Sequence, residues 1–170
     1  MAETLELGPV VAVEAESIGV PGQRRFRIRA MNQEGRIGTL WMEKEQIIAV
    51  GEAIETTLRD ASYRHRPRMA DDADAPAVLP LGTGTEVQAG QLSLGLNRDS
   101  EHIVLIGADG QPDDDDLTSV SLEFDFYRGH LLREQITSVV SSGRPLCPLC
   151  TAPMEPSGHV CVRTNGHHPH

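Results

Sequence analysis

The sequence predicts an α+β fold: two βββα pseudo-repeats form a mainly antiparallel sheet with two helices on one face, and a small zinc ribbon follows. Three observations predict it. Short runs of alternating apolar and polar residues occur in two groups, at 10–42 and 90–124. Each group passes into a stretch of helical period. All three cysteines, with four of the seven histidines, fall in the last segment, 144–170. Body and tail therefore divide at 1–143 and 144–170, and the body into halves 10–61 and 90–142 joined by a connector, 62–89.

In the first half, Val11, Val13 and Ala15 alternate with Ala12, Glu14 and Glu16, the period of a half-buried strand. Val20-Pro21-Gly22-Gln23 is a turn, in which Pro presets the first corner and Gly supplies positive φ. From Arg24 to Ala30, Phe26, Ile28 and Ala30 take the core side and Arg25, Arg27 and Arg29 the other. Asn32-Gln33-Glu34-Gly35 turns again, and a third strand follows with Ile37, Thr39 and Trp41 on one side. From Glu43 to about Ala61, Ile47, Val50, Gly51, Ile54 and Leu58 make a helical stripe with Glu45, Glu52 and Glu55 outside.

The connector is basic at first (Arg64, His65, Arg66, Arg68), then acidic and rich in Ala and Pro. In the second half, Leu92, Leu94 and Leu96 alternate, Asn97-Arg98-Asp99-Ser100 turns, and His102–Ile106 is a short strand. After an acidic loop, Val120, Leu122 and Phe124 mark the last strand. Tyr127–Ser141 reads as a helix with Leu131 or Leu132, Gln135 or Ile136, and Val139 inward, stopped by Gly143. The sheet expected from these runs has six strands.

Composition narrows the function. Hydrophobic residues are 39% and aromatics 4% of 170 residues, so a core is built from Val, Ile, Leu and Ala. The net charge of −10 disfavours whole-surface attraction to nucleic acid or anionic membrane. No apolar run approaches the roughly 20 residues that span a bilayer. The acidic N-terminus lacks a secretory signal. An odd number of cysteines clustered in one tail fits a reducing cytoplasm better than a disulfide framework.

The tail carries the chemistry. Cys147-Pro-Leu-Cys150 can grip one tetrahedral metal from a single tight turn, and Cys161 supplies a third thiolate. The fourth ligand is open between His159, two residues before Cys161, and His167 or His168 beyond it. A redox dithiol is the competing reading. Such motifs sit at the start of a helix, where the dipole lowers a thiol pKa. Here the pair follows a helix and a Gly-Arg-Pro stop, and the third cysteine would be unexplained. Zn2+ in a closed structural site is the reading favoured.

Several stretches together resemble the bacterial domain-of-unknown-function 3090 family. They are Gly19-Val-Pro-Gly22-Gln-Arg24-Arg-Phe26, Met42-Glu43-Lys44-Glu45-Gln46, Gly143-Arg144-Pro145-Leu-Cys147-Pro148-Leu-Cys150, Gly158-His159-Val-Cys161 and Asn165-Gly166. The sequence departs from the family pattern at Thr151 and Val162, and neither change removes a ligand. The resemblance implies a shared fold and a metal knuckle, with His159 as the preferred fourth ligand, and assigns no activity.

Other candidates have plainer readings. The row Arg25, Arg27 and Arg29, flanked by Arg24 and Arg36, offers an anion or nucleic-acid surface. Few aromatics interleave with it, and Glu14 and Glu16 on the neighbouring strand can pair with it. Asp109–Asp116 has the composition of a calcium loop without its spacing. Glu43 and Glu45 could form a catalytic carboxylate pair, yet Glu in a first helical turn is explained by the macrodipole. His102 and His130 stand alone. The function expected is that of a non-catalytic, cytoplasmic protein-binding or adaptor module. Nucleic-acid binding through the arginine row and ribbon, or an enzyme near Glu43 and Glu45, are the alternatives, and no membrane is expected as a partner.

Overall fold

Alternation in the sequence becomes strands where turns return the chain. The computed structural model describes residues 3–20, 22–62, 79–81, 84–111, 114–142, 147–150, 154 and 159–163. The elements are β1 (Glu3–Ile18), β2 (Arg25–Asn32), β3 (Ile37–Met42), α1 (Lys44–Ser62), β4 (Thr85–Gln88), β5 (Gln91–Asn97), β6 (His102–Ala108), β7 (Thr118–Phe124) and α2 (Phe126–Ser141). Between β1 and β2, the Gln23 N–H donates to the Val20 carbonyl at 3.0 Å. Two later hairpin turns, β2–β3 and β5–β6, are each held by an asparagine. Asn32 Oδ1 accepts from the N–H groups of Glu34 and Arg36 at 3.1 and 2.9 Å, and Asn97 Oδ1 accepts from those of Asp99 and Ser100. Short polar side chains that bond their own backbone are why these residues start turns.

The fold class is α+β, with two helices and a mixed sheet in the order β4-β3-β2-β1-β7-β6-β5. The sheet has seven strands, not six. Four neighbouring pairs are antiparallel, while β1–β7 and β3–β4 are parallel. The additional strand, β4, lies within the span read as connector. It has four residues and one buried apolar side chain, Val87, too little to display a period. Each half does contain a three-stranded meander and a helix. The halves join, however, through the first strand of one and the third of the other, so equivalent strands do not meet at the centre.

Strand β1 begins at Glu3, well before the alternation that announced it. Leu5 and Leu7 are buried, and the strand continues through Gly8-Pro9, a pair that reads as a break. Gly8 takes a φ of 62°, which only glycine adopts freely. On one side of this bend Glu3–Pro9 pair with β7; on the other, Val10–Ile18 pair with β2. The register shifts between Glu6 and Pro9 and again between Val10 and Ala12. At the opposite corner, Ala89 and Gly90 carry the chain from edge strand β4 to edge strand β5. Their N–H groups donate to Trp41 and Ala108 carbonyls, both at 2.8 Å.

These two corners fold the sheet onto itself. A Cβ on Gly38 of β3 would stand 2.7 Å from Val120 Cγ1 of β7, and one on Gly107 of β6 would stand 2.4 Å from Leu40 Cδ2 of β3. Glycine is required at both, because strands three and four places apart in the sheet touch there. Away from that contact the helices fill the space. Gly129 of α2 lies against Ile103 and Phe124, and Gly51 of α1 lies against Ile136 of α2. One hydrophobic core results, shared by Ile28, Leu40, Ile47, Ile54, Leu105, Leu122, Phe124 and Leu132. On α2 the inward residue is Leu132, whereas Leu131 is 38% exposed.

Helix α2 also serves the backbone of β1. The edge that β1 leaves unpaired beyond Pro9 is met by Gln135, whose Oε1 accepts the Ala15 N–H at 3.0 Å, and by Arg128, whose Nε donates to the Val11 carbonyl at 3.2 Å. Asp125 caps the start of α2 by accepting from the Arg128 N–H at 2.7 Å. Arg24 closes its end, donating to the Val139 and Val140 carbonyls at 3.0 and 3.4 Å, where a cation also suits the dipole. Gly143, the expected stop, lies outside the described residues. No helix among the described residues is long and apolar enough to cross a membrane.

Candidate metal centre

The knuckle is a tight turn at 147–150, entered from α2, and its first cysteine is buried while Cys150 is half-buried. It aims backbone N–H groups at the first sulfur: those of Cys150 and Leu149 bond to Cys147 and, with the neighbouring Cys150 and Cys161 side chains, draw its thiol down from 9.0 to about 6. A cysteine held in this way is largely thiolate near neutral pH, the form that binds metals.

Residues 159–161 approach from the other side. Cys161 Sγ lies 3.8 Å from Cys147 Sγ, and His159 Nε2 lies 3.1 Å from Cys150 Sγ. No two of the cysteines are joined in a disulfide. The four donor atoms of Cys147, Cys150, His159 and Cys161 all lie within 4.8 Å of one another. A tetrahedron of Zn–S bonds about 2.3 Å long places its sulfurs about 3.8 Å apart. The residues therefore fit a metal ion of zinc's size and ligand preference. His167 and His168, the competing fourth ligands, lie outside the described residues.

Around this cluster Leu149, Val160 and Val162 point to solvent, 52%, 93% and 76% exposed. Reading the motif for its ligands passes over them. The signal was present nonetheless, as apolar residues standing between and beside the ligands.

The other candidates are occupied by the fold itself. Arg27 meets Glu16 at 2.6 Å and Arg29 meets Glu14 at 3.0 Å, the pairs set directly opposite by the β1–β2 register. Arg29 is 3% exposed, and its second nitrogen donates to the Pro80 carbonyl. Arg25 and Arg27 stack on the Trp41 ring, with guanidinium carbons 4.5 and 5.1 Å from its centroid, and Trp41 Nε1 donates to Glu86 at 3.0 Å. Burial pushes the Glu14 carboxyl up, helped by Glu16 and opposed by Arg29.

Glu43 and Glu45 are both exposed at the start of α1. The stretch Met42–Gln46 builds a cap: Gln46 Oε1 accepts the Glu43 N–H at 2.8 Å, and its Nε2 donates to the Ala89 carbonyl at 2.9 Å. In the acidic loop, Asp109 and Asp114 accept the backbone N–H groups of Thr118 and Gln111. His102 Nδ1 is buried 3.6 Å from a Glu123 oxygen, beyond hydrogen-bond distance; His130 lies 3.4 Å from Glu134 on the same helix.

Comparison with known proteins bears on this arrangement. Neither curated proteins nor solved structures gave a match. The sequence does match one family, over residues 6–161, a span that holds every strand pairing from Glu6 onward and closes on Cys161 with all four clustered donors inside it. With nearly the whole chain matched, the protein belongs to the family described as "Protein of unknown function (DUF3090)".

Proposed function

We propose that the chain is a cytoplasmic protein-binding module, without catalysis of its own, in which Cys147, Cys150, His159 and Cys161 hold a structural zinc ion. The observation that carries this reading is the convergence of three sulfurs and one imidazole within 4.8 Å. Three thiolates and a histidine complete a tetrahedral shell and leave no position for water or substrate, which is the mark of a structural site. The four side chains would fasten the 147–150 turn to the 159–161 segment and so fix Leu149, Val160 and Val162 outward. Exposed apolar side chains held rigid in this way suit an apolar segment of a partner protein.

Elemental analysis of untagged protein tests the site. One zinc per chain is expected, with retention weakened by His159→Ala and unchanged by His167→Ala. Loss with His167→Ala alone would overturn the ligand assignment. No metal, together with ready labelling of Cys147 and Cys150 by a thiol probe, would replace the structural site with a reactive dithiol. Stripping zinc with a chelator should leave the main thermal transition in place, because the body has its own core.

A further inference from the structure

We infer that the outer edge of β5 is a homodimer interface, in which β5 pairs antiparallel with β5 of a second copy about a two-fold axis at Leu94. The sheet has two edges, and they differ. The β4 edge is four residues long, with Glu86 tied to Trp41 and Gln88 to Arg25. The β5 edge is seven residues long, and all seven are paired to β6 without a register shift, so the strand is regular along its length. From Val87 to Asn97 the sequence contains no charge and no proline. Folded proteins usually blunt an open edge with a charge, a proline, a bulge or a cover. Among the described residues no further strand pairs with β5 on its outer side, and the helix that packs against it is α1.

The partner follows from the pattern of β5 itself. Gln91-Leu92-Ser93-Leu94-Gly95-Leu96-Asn97 reads the same in both directions by residue type, about Leu94. Antiparallel self-pairing there sets Leu92 opposite Leu96 of the second copy, Leu94 opposite Leu94, Ser93 opposite Gly95 and Gln91 opposite Asn97. Apolar meets apolar and polar meets polar in every pair, as an isologous contact requires. Leu96, 42% exposed in the single chain, gains a cover from Leu92. A chain of net charge −10 repels its own copies over most of its surface, and this strand is a place where no like charges are brought together.

The test is sedimentation of the full chain from about 1 to 200 μM at physiological salt, a range set by the modest area one strand pair buries. Two double variants accompany it: Ser93→Lys with Gly95→Lys, and Ser93→Glu with Gly95→Glu. Ser93 and Gly95 are exposed, and a Cβ at Gly95 meets nothing within 4 Å, so both variants should fold. The wild type should dimerise as concentration rises, and its 91–97 amides should exchange more slowly in step. Each variant alone places like charges opposite each other and should weaken association by at least about tenfold. Mixing the two sets Lys against Glu and should restore a dimer. A wild type monomeric throughout would overturn the inference, and so would a dimer indifferent to the lysine pair or one in which exchange at 91–97 does not change.

Discussion

The outer faces of the two half-sheets make opposite use of the same geometry. On the face formed by β1 beyond Pro9 with β2, β3 and β4, charged and aromatic side chains interlock: Arg29 with Glu14, Arg27 with Glu16, Arg25 and Arg27 over Trp41, Trp41 with Glu86. On the face formed by β5, β6 and β7, the outward positions are mostly small or neutral, with Ser93, Gly95, Ser119 and Ser121 among them and His102 beside Glu123. The first face looks like a ligand surface in the sequence, yet its charges already answer one another. The second attracts no notice in the sequence and ends in β5, which has no further strand beside it among the described residues. A charged row is thus evidence of a binding surface only after its internal partners have been counted.

The largest effect should come from what the two halves share. Ile28 lies in one half and Leu105 in the other, both fully buried in the same core. Ile28→Ala and Leu105→Ala should each cost about 2–5 kcal/mol and shift one cooperative transition, measured by chemical denaturation. Two separate transitions would break the picture of a single body.

Next comes the interlocked face. Arg29→Met removes a buried cation from Glu14 and should cost about 3 kcal/mol. Adding Glu14→Met should return part of that loss, since the carboxylate is no longer stranded. A double variant whose cost is the plain sum of the singles would show that the pair is not coupled.

Acid should separate two glutamates. Glu14 has its folded pKa raised, chiefly by burial, so the stability it contributes is full below the unfolded value of 4.5 and is lost as pH rises through its folded value. Glu55 has its folded pKa lowered by its hydrogen bond to Arg133, so its contribution is present above 4.5 and fades as pH falls. As pH falls from 7 to 4.5 the stability of the wild type relative to Glu14→Gln should therefore grow, and as it falls below 4.5 the stability relative to Glu55→Gln should shrink. Equal slopes for the two would refute the assignment. The smallest effect is expected from Arg25→Ala, about 0.5–1 kcal/mol with a change in Trp41 fluorescence, because the stack is near the surface.

What could be read in advance was local. The asparagine turns, the α1 stripe of Ile47, Val50, Ile54 and Leu58, and the Cys-x-x-Cys knuckle are each written in a few consecutive residues. What could not be read depends on distant partners. Gly8-Pro9 looks like an end until β7 is seen to pair before it and β2 after it. Four residues at 85–88 make a strand only because β3 lies alongside them. Arg24 looks like one more basic residue in a row, but its hydrogen bonds are at the end of α2, 115 and 116 positions away. Likewise Gln46 sits in a glutamate-rich motif suggestive of chemistry, and its amide closes a helix cap that reaches across to Ala89.

The parallel partnership of β1 with β7 sets a timetable for synthesis. Glu3 pairs with Thr118, so the inner edge of β1 has no strand beside it until the ribosome has added well over a hundred further residues. At 5–20 residues per second that is a delay of roughly 6–25 s. During it the nascent chain displays Leu5, Leu7 and an unpaired strand, and the slow folding expected of distant pairings begins only afterwards. Until β7 exists, the half of β1 before the Gly8 bend has no strand to pair with, while the half after it can already pair with β2.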